Sequence, residues 1–416
     1  MADDVDFIGT FGLSFSYHRM KYHRVLVEAI VFSLGEIFEK GRQADKVIEQ
    51  VLKSNRKWGA RDRGFIAENT YEIVRWWRLL EFVVPSDQAS YTDIFAIWQV
   101  LKGNELPNWP EFAHIDPKSI RKAYEEAKQI RKVRESIPDW LDEIGSSELG
   151  KEWEEELHAL NQTAPVVLRT NTLKTTPAEL RQLLASQGIL TNPLAKFPEA
   201  LILQEKKNVF QTEYFQKGLF EVQDAGSQAI APALDVHPGM RVIDACAGAG
   251  GKTLHLAALM QNQGRLIAMD VEEWKLDELR RRARRNGVSN VETRVIEAKT
   301  IKRLRESADR VLLDVPCSGL GVLRRNPDSK WKIKPDFLNQ IRQTQYEILS
   351  NYSQMVKPGG KLVYATCSIL PSESERQVER FLKEQGSKWQ LSTESRTSPA
   401  HDGFDGFYMA TLTKAL

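Results

Sequence analysis

Residues 241–253 read RVIDACAGAGGKT: a β-branched run, then a turn with Gly248, Gly250 and Gly251, then the polar start of a helix. Glycines at such a turn let backbone approach a ligand closely, and the helix N-terminus favours a polar or charged group in front of it. Three ligand readings compete. A Walker A loop needs glycine at the position held by Cys246, so the nucleotide-triphosphate reading lacks an essential residue. A dinucleotide loop, GxGxxG, fits Gly248 and Gly250 but meets Thr253 at its third position. A nucleoside-type cofactor fits best, because the next strand, RLIAMD, ends at Asp270, where a carboxylate can accept hydrogen bonds from both ribose hydroxyls. The candidate cofactor loop is therefore Cys246, Ala247, Gly248, Ala249, Gly250, Gly251 and Lys252; a glycine turn without a ligand is the bland alternative.

Outward from this turn, strand and helix patterns alternate to residue 416. TLHLAALMQ is followed by RLIAMD, KLDELRRRARRNG, RVLLDVPC, KLVYATC, SESERQVERFLKEQ and FDGFYMATLT. Apolar strands alternating with helices predict an α/β fold with a parallel, doubly wound sheet covered on both faces. Ahead of it, APVVLRTNTLKTTPAELRQLLASQGI and ALILQ read as strand, capped helix with Pro177 in its first turn, and strand: a small α+β domain. Earlier still, VLVEAIVFSLGEIFEK has helical spacing and stops at Gly41, and ARDRGFIAENTYEIVRWWRLLEFVV repeats the pattern and ends at Pro85. Further helices are expected near Tyr91–Leu101 and over 117–135, an acidic helix at KEWEEELHALN, and a linker over 136–150, where Pro138, Gly145 and Gly150 cluster. The expected domains are 1–145 (all-helical), 146–222 (α+β connecting) and 223–416 (the doubly wound sheet).

The 416 residues suffice for two to three domains, and 42% hydrophobic with 27% charged residues is ordinary globular composition. Mean hydropathy is −0.41 and no apolar run reaches membrane-spanning length, while the start MADDVDF is acidic rather than leader-like, so a soluble, cytoplasmic protein is expected. Three cysteines, without CxxC or zinc spacing, exclude a disulfide framework and give no metal site. Net charge is only +2, but residues 275–310 hold 12 Lys/Arg against 6 Asp/Glu, and 116–134 hold 7 against 3. Such clusters suit a polyanion, though a charge run is as often a solvated helix face. Oligomeric state is not legible; a monomer is compatible with the composition.

Two further strand ends carry chemistry. RVLLDVPCSG places Asp314 and Cys317 just past one strand, and KLVYATCS places Cys367 just past another. In an open parallel sheet ligands bind outside those carboxyl ends, so neighbouring strands would turn both thiols and the carboxylate into one cleft. A single cysteine is more often a small buried hydrophobe; two at equivalent strand ends beside a cofactor turn favour chemistry. Spacing alone does not say which would attack.

The stretches FEVQDAGSQAIAPAL, DACAGAGGKT, DVPCSGLGVLRRNPDSKW, YATCSILPSESERQV and DGFDGFYMATL resemble the S-adenosylmethionine-dependent RNA cytosine-5 methyltransferases of the Sun/Fmu group, which include ribosomal RNA methyltransferases. The helical part, through DRGFIAENTYEIVRW, is similar to the NusB-like RNA-binding module some members carry. The resemblance implies a Rossmann-like class I methyltransferase domain, S-adenosylmethionine as cofactor, and RNA, most readily ribosomal RNA, as partner, with no metal and no membrane. It further implies Cys367 as the nucleophile that adds to carbon 6 of cytosine, Cys317 as an aid to product release, Asp314 as holder of the base, and Lys252 between cofactor and base. The chemistry needs such groups, because cytosine carbon 5 attacks a sulfonium methyl only after a thiolate has made the ring enamine-like. Both thiols need deprotonation, and a helix N-terminus with Lys252 nearby is expected to ease it. Two positions depart from the family. Ala249 stands where proline is usual, and Lys299 stands about where an acidic residue near adenine is expected, so either Glu297 substitutes or adenine is held differently. Rival readings are an RNA-binding assembly factor without turnover, a transfer RNA target, and, resting on GKT alone, an ATPase.

Overall fold

The structure is a computed structural model that describes residues 22–84 and 89–416. The acidic start and Pro85 lie outside the described residues. Two compact units emerge: one ends at Thr163 and takes in Leu323–Ile333, and the other comprises Ala164–Val322 and Lys334–Leu416.

The first unit is helical. Arg24–Phe38, Ala44–Ser54, Ala60–Arg75, Tyr91–Leu101 and Pro117–Ala127 bury Ile30, Leu34, Ile66, Ile73, Phe95 and Trp98 in one core. The single pattern read over 60–84 is two helices, Ala60–Arg75 and Trp77–Val83, which join at the buried Trp76. Tyr91–Leu101 starts at a capping box in which Ser90 and Asp93 serve each other's amides. The expected linker is instead the helix Asp139–Leu149. Gly145 is there for packing, since a Cβ on it would stand 2.3 Å from the ring of Trp153, whose indole N–H donates to Asp142 Oδ1 at 2.8 Å. Leu323–Ile333 is built into this unit: Trp331 donates its indole N–H to Val74 O (2.7 Å), Arg75 donates to Arg324 O (2.9 Å), and Asp328 Oδ2 accepts from the Ala44 amide (3.0 Å). Gln43 makes no side-chain cap on the helix Ala44–Ser54, so a carboxylate 284 residues away supplies one.

The second unit carries two sheets. β1 (Val167–Thr170), β2 (Thr191–Leu194), β3 (Phe197–Leu203) and β4 (Phe220–Val222) form an antiparallel sheet in the order β2-β3-β1-β4, with the helix Pro177–Ser186 packed on it. β5 (Arg241–Asp244), β6 (Arg265–Asp270), β7 (Val291–Val295), β8 (Ala308–Asp314), β9 (Val356–Thr366), β10 (Trp389–Thr397) and β11 (Phe407–Lys414) form the seven-stranded sheet β10-β11-β9-β8-β5-β6-β7. β5 to β9 pair in parallel, as the buried apolar runs of β5, β6, β8 and β9 imply, with the half-buried VETRV of β7 at the edge, and helices cover both faces. β10 and β11 are antiparallel to their neighbours, a difference from the all-parallel expectation. Only residues 398–406 connect them, too few for the crossover that parallel pairing requires. Strand order reverses at β5, whose neighbours are β6 and β8, and there the carboxyl ends open a crevice.

Candidate active site

The glycine turn sits at that switch point. The Ala245 amide donates to Leu312 O on β8 and the Ala247 amide to Met269 O on β6, so the turn is tied to both strands. Gly248 (φ +52°) and Gly250 (φ +89°) occupy the left-handed region; at Gly250 a Cβ would also meet Leu279 Cγ at 2.6 Å. The helix Gly251–Leu259 follows. The turn's carbonyls are clamped from outside: the guanidinium of buried Arg169 on β1 donates to Gly251 O (2.6 Å), and Arg282 donates to Ala249 O (2.8 Å) while pairing with Glu221 on β4 (3.0 Å). Arg285 also binds Glu221. Two arginines of the basic helix Glu273–Asn286 are thus engaged within the unit, which leaves less of the charge run for a polyanion than its composition implies.

A cavity of about 240 Å³ opens here, lined by Asp244, Cys246, Gly248, Gly251, Lys252 and Asp314 among others. Asp270, at the end of β6, accepts from the Gly248 amide (3.0 Å) through Oδ2 and from the Glu272 amide (2.9 Å) through Oδ1, which ties the glycine turn to its neighbouring strand. Asp244, which the sequence reading passed over, is fully buried at the end of β5. Thr253 donates to its Oδ2 (2.7 Å), and its Oδ1 has no partner of normal hydrogen-bond geometry. Burial, followed by the nearby Asp314, pushes its carboxyl up to about 7. The signal for it was available, because it is the last residue of the strand that opens the turn. Glu297 and Lys299, past the end of β7, are exposed and are not among the residues lining the cavity.

Lys252 Nζ lies 2.6 Å from Asp314 Oδ2 and 5.4 Å from the centre of the Phe407 ring. Burial works to lower the Lys252 pKa, but the charge and hydrogen bond of Asp314 outweigh it, and the ammonium is held above its ordinary range. β8 and β9 are neighbours, so the two cysteines past their ends meet: Cys317 Sγ is 3.1 Å from Cys367 Sγ. The contact with Cys367 and then burial push the Cys317 thiol well above its usual value. For Cys317 this reverses the expectation of an eased deprotonation, because the neighbouring sulfur and burial set the direction.

A glycine turn at the switch point, beside a cavity lined by Asp244 and Asp314 at the carboxyl ends of β5 and β8, fits a methyltransferase whose cofactor is S-adenosylmethionine; Asp270, the residue expected on the ribose, is not among those lining the cavity. The buried, partnerless Asp244 Oδ1 fits that cofactor, which carries an ammonium group. Residues 231–413 match the 16S rRNA methyltransferase RsmB/F family, and residues 137–210 match the ferredoxin-like domain of RsmF/B-like methyltransferases. A Synechocystis protein named probable ribosomal RNA small subunit methyltransferase B is 35% identical over 358 residues, which is 80% of this chain and 79% of that protein. The crystal structure of PH0851 superposes with a TM-score of 0.80 at 25% identity, covering 95% of this chain and all of that one. A methyltransferase homolog from Pyrococcus horikoshii gives a TM-score of 0.61 at 28% identity over 68% of this chain and 97% of its own. The chain belongs to the RsmB/F family of 16S rRNA methyltransferases.

No helix among the described residues is long and apolar enough to cross a membrane, and no group of His, Cys, Asp and Glu among them could hold a metal ion.

Proposed function

We propose that this protein methylates carbon 5 of a cytosine in ribosomal RNA through a covalent adduct to Cys367. The observation that carries the reading is the contact between Cys317 Sγ and Cys367 Sγ. In such a pair one thiol can keep its proton and donate to the other sulfur, and the family resemblance, through the TC and PC motifs, makes Cys367 the attacking thiolate and Cys317 its proton-bearing partner. The Cys367 thiolate bonds to carbon 6, and electron density moves to carbon 5 and to the ring nitrogen beside the carbonyl. Asp314 and Lys252 face that edge of the base, the ammonium offsetting the developing negative charge. The cofactor supplies an electrophilic methyl group to carbon 5. Once Cys367 is bonded to carbon, Cys317 no longer has a thiolate acceptor and releases its proton to solvent. Its thiolate then takes the proton from carbon 5 as the bond from carbon 6 to sulfur breaks and the Cys367 thiolate is regenerated.

The cofactor would be held by the turn from Cys246 to Lys252, with Asp270 on the ribose and Asp244 toward the ammonium; Glu297 stays in this proposal only as a candidate on the adenine side. The helical part would bind RNA ahead of the small connecting part and the catalytic part. The relatives' names favour ribosomal RNA over transfer RNA. Mapping of 5-methylcytosine across total RNA from cells with and without the protein tests the whole reading: one ribosomal position should lose the mark. Loss at a transfer RNA position instead would move the substrate, and an unchanged map would leave the assembly-factor reading.

Cofactor binding has its own test. Asp270→Ala removes a ribose acceptor and unties the Gly248 amide, so calorimetric titration should show affinity weakened by about 1 to 3 kcal/mol. Unchanged affinity would place the ribose elsewhere.

A further inference from the structure

Past the two cysteines lies a buried polar network that the mechanism above does not use. Ser318 follows Cys317, Ser368 follows Cys367, and both are buried. Between them stands Glu373, fully buried, in the short turn Pro371–Glu373 after β9. Its Oε1 accepts from the hydroxyls of Ser318 (2.5 Å) and Ser368 (2.6 Å). Its Oε2 accepts from the Ser318 amide (2.8 Å) and from Gln345 Nε2 (3.0 Å), and the same Gln345 amide group donates to Pro316 O (3.0 Å). Tyr364 on β9 donates to the Glu373 carbonyl (2.7 Å). The Ser318 and Ser368 hydroxyls lie 3.3 Å apart.

We propose that Glu373 is a positioning residue for the thiol pair: one carboxylate binds the serine that follows each cysteine and so sets the separation of Cys317 and Cys367. Four donors around one carboxylate occupy its acceptor sites, which makes a buried network of this kind rigid and specific rather than merely tolerated. β8 and β9 are held by their ladder only as far as Asp314 and Ala365, so the turns beyond need a separate tie. Glu373 is that tie; the backbone adds direct links from the Val315 amide to Ala365 O (3.0 Å) and from the Gly321 amide to Cys367 O (2.9 Å). The inference rests on the reading that the two thiols act together, but its test does not.

The test measures the thiols in the full chain without RNA, then methyl transfer with it. Diamide takes two electrons and two protons from the two thiols, is reduced to the hydrazine, and leaves a disulfide between Cys317 and Cys367; its rate reports how often the sulfurs meet in bonding geometry. Glu373→Ala should slow this closure, and single-turnover methyl transfer should fall roughly ten- to a hundredfold, the usual result of an ångström-scale misplacement. Glu373→Gln, which keeps one acceptor oxygen, should recover part of both. Removing a negative charge that raises the Cys317 pKa should also move the midpoint of Cys317 alkylation to lower pH, a shift that lost stability alone does not produce. If Glu373→Ala unfolds, Ser318→Ala with Ser368→Ala breaks the same tie and should slow closure likewise. Methyl transfer lost with closure rate and alkylation profile unchanged would overturn the proposal, as would full activity in Glu373→Ala. Should Cys317→Ala and Cys367→Ala both keep full activity, covalent catalysis falls, while the diamide and alkylation results still decide whether Glu373 sets the pair.

Discussion

Cys367→Ala is expected to bind RNA and cofactor and yet transfer no methyl group, with a loss on the order of 10⁴-fold or more, because the step that makes carbon 5 nucleophilic is gone. Cys317→Ala is expected to fail later. Its Cys367 still attacks and the ring is methylated once, but no thiolate takes the carbon 5 proton, so protein stays joined to RNA in a band that survives denaturing electrophoresis. The 3.1 Å contact sharpens this division. With Cys317 absent, Cys367 loses its sulfur partner, so adduct formation in Cys317→Ala should be slower than in the wild type while its decay is slower still. Both variants are run beside wild type with labelled cofactor and RNA. A stable adduct in Cys367→Ala with none in Cys317→Ala would exchange the two roles. Full activity in both, with no adduct in either, would remove covalent catalysis.

The doubly wound sheet was legible because β5, β6, β8 and β9 are apolar runs separated by helical patterns, and the glycine turn marked where the strand order reverses. Cys317, Cys367 and Asp314 could be placed at strand ends for the same reason, and the adjacency of β8 and β9 brought the thiols together. What escaped the sequence depends on distant partners. Gly145 looked like linker chemistry because nothing local reveals the Trp153 ring that excludes a side chain there. RRNPDSKW looked continuous with the catalytic motif before it, yet Asp328 and Trp331 are fixed by Ala44 and Val74, more than 200 residues earlier. Arg282 and Arg285 counted toward a basic run until Glu221, buried on β4, engaged both. Asp244 and Glu373 are acidic residues that pattern reading assigns to the surface, and only their burial shows otherwise. The direction of the Cys317 pKa was misread for a related reason: proximity to a cation is visible in a motif, whereas desolvation is a property of the packed interior.

Asp314→Asn should lower single-turnover methyl transfer about a hundredfold at neutral pH, the scale on which one aligned electrostatic group acts in a closed site. The pH dependence is the stronger test. In the wild type, Asp314 holds the Lys252 pKa above 10.5, so the ammonium persists across the whole working range and no alkaline limb from this group is expected below that value. Without the carboxylate, burial is the largest remaining influence, opposed only by the lesser fields of Cys367 and Asp244, and is expected to take the Lys252 pKa below 10.5. The proton is then lost within the accessible range, and the variant's rate should fall as pH rises where the wild-type rate does not. Stability should move the other way. A lysine whose folded pKa lies below its unfolded one binds fewer protons in the native state between the two values, so native stability increases with pH across that window. In the wild type the folded value is the higher one, and the pair's contribution is fully present below 10.5 and is lost as pH rises from there through the folded value. Asp314→Asn should therefore lose activity and gain thermal stability over the same alkaline interval, a combination that unfolding cannot produce. Rate profiles of variant and wild type that run parallel at every pH would take Lys252 out of the chemical step.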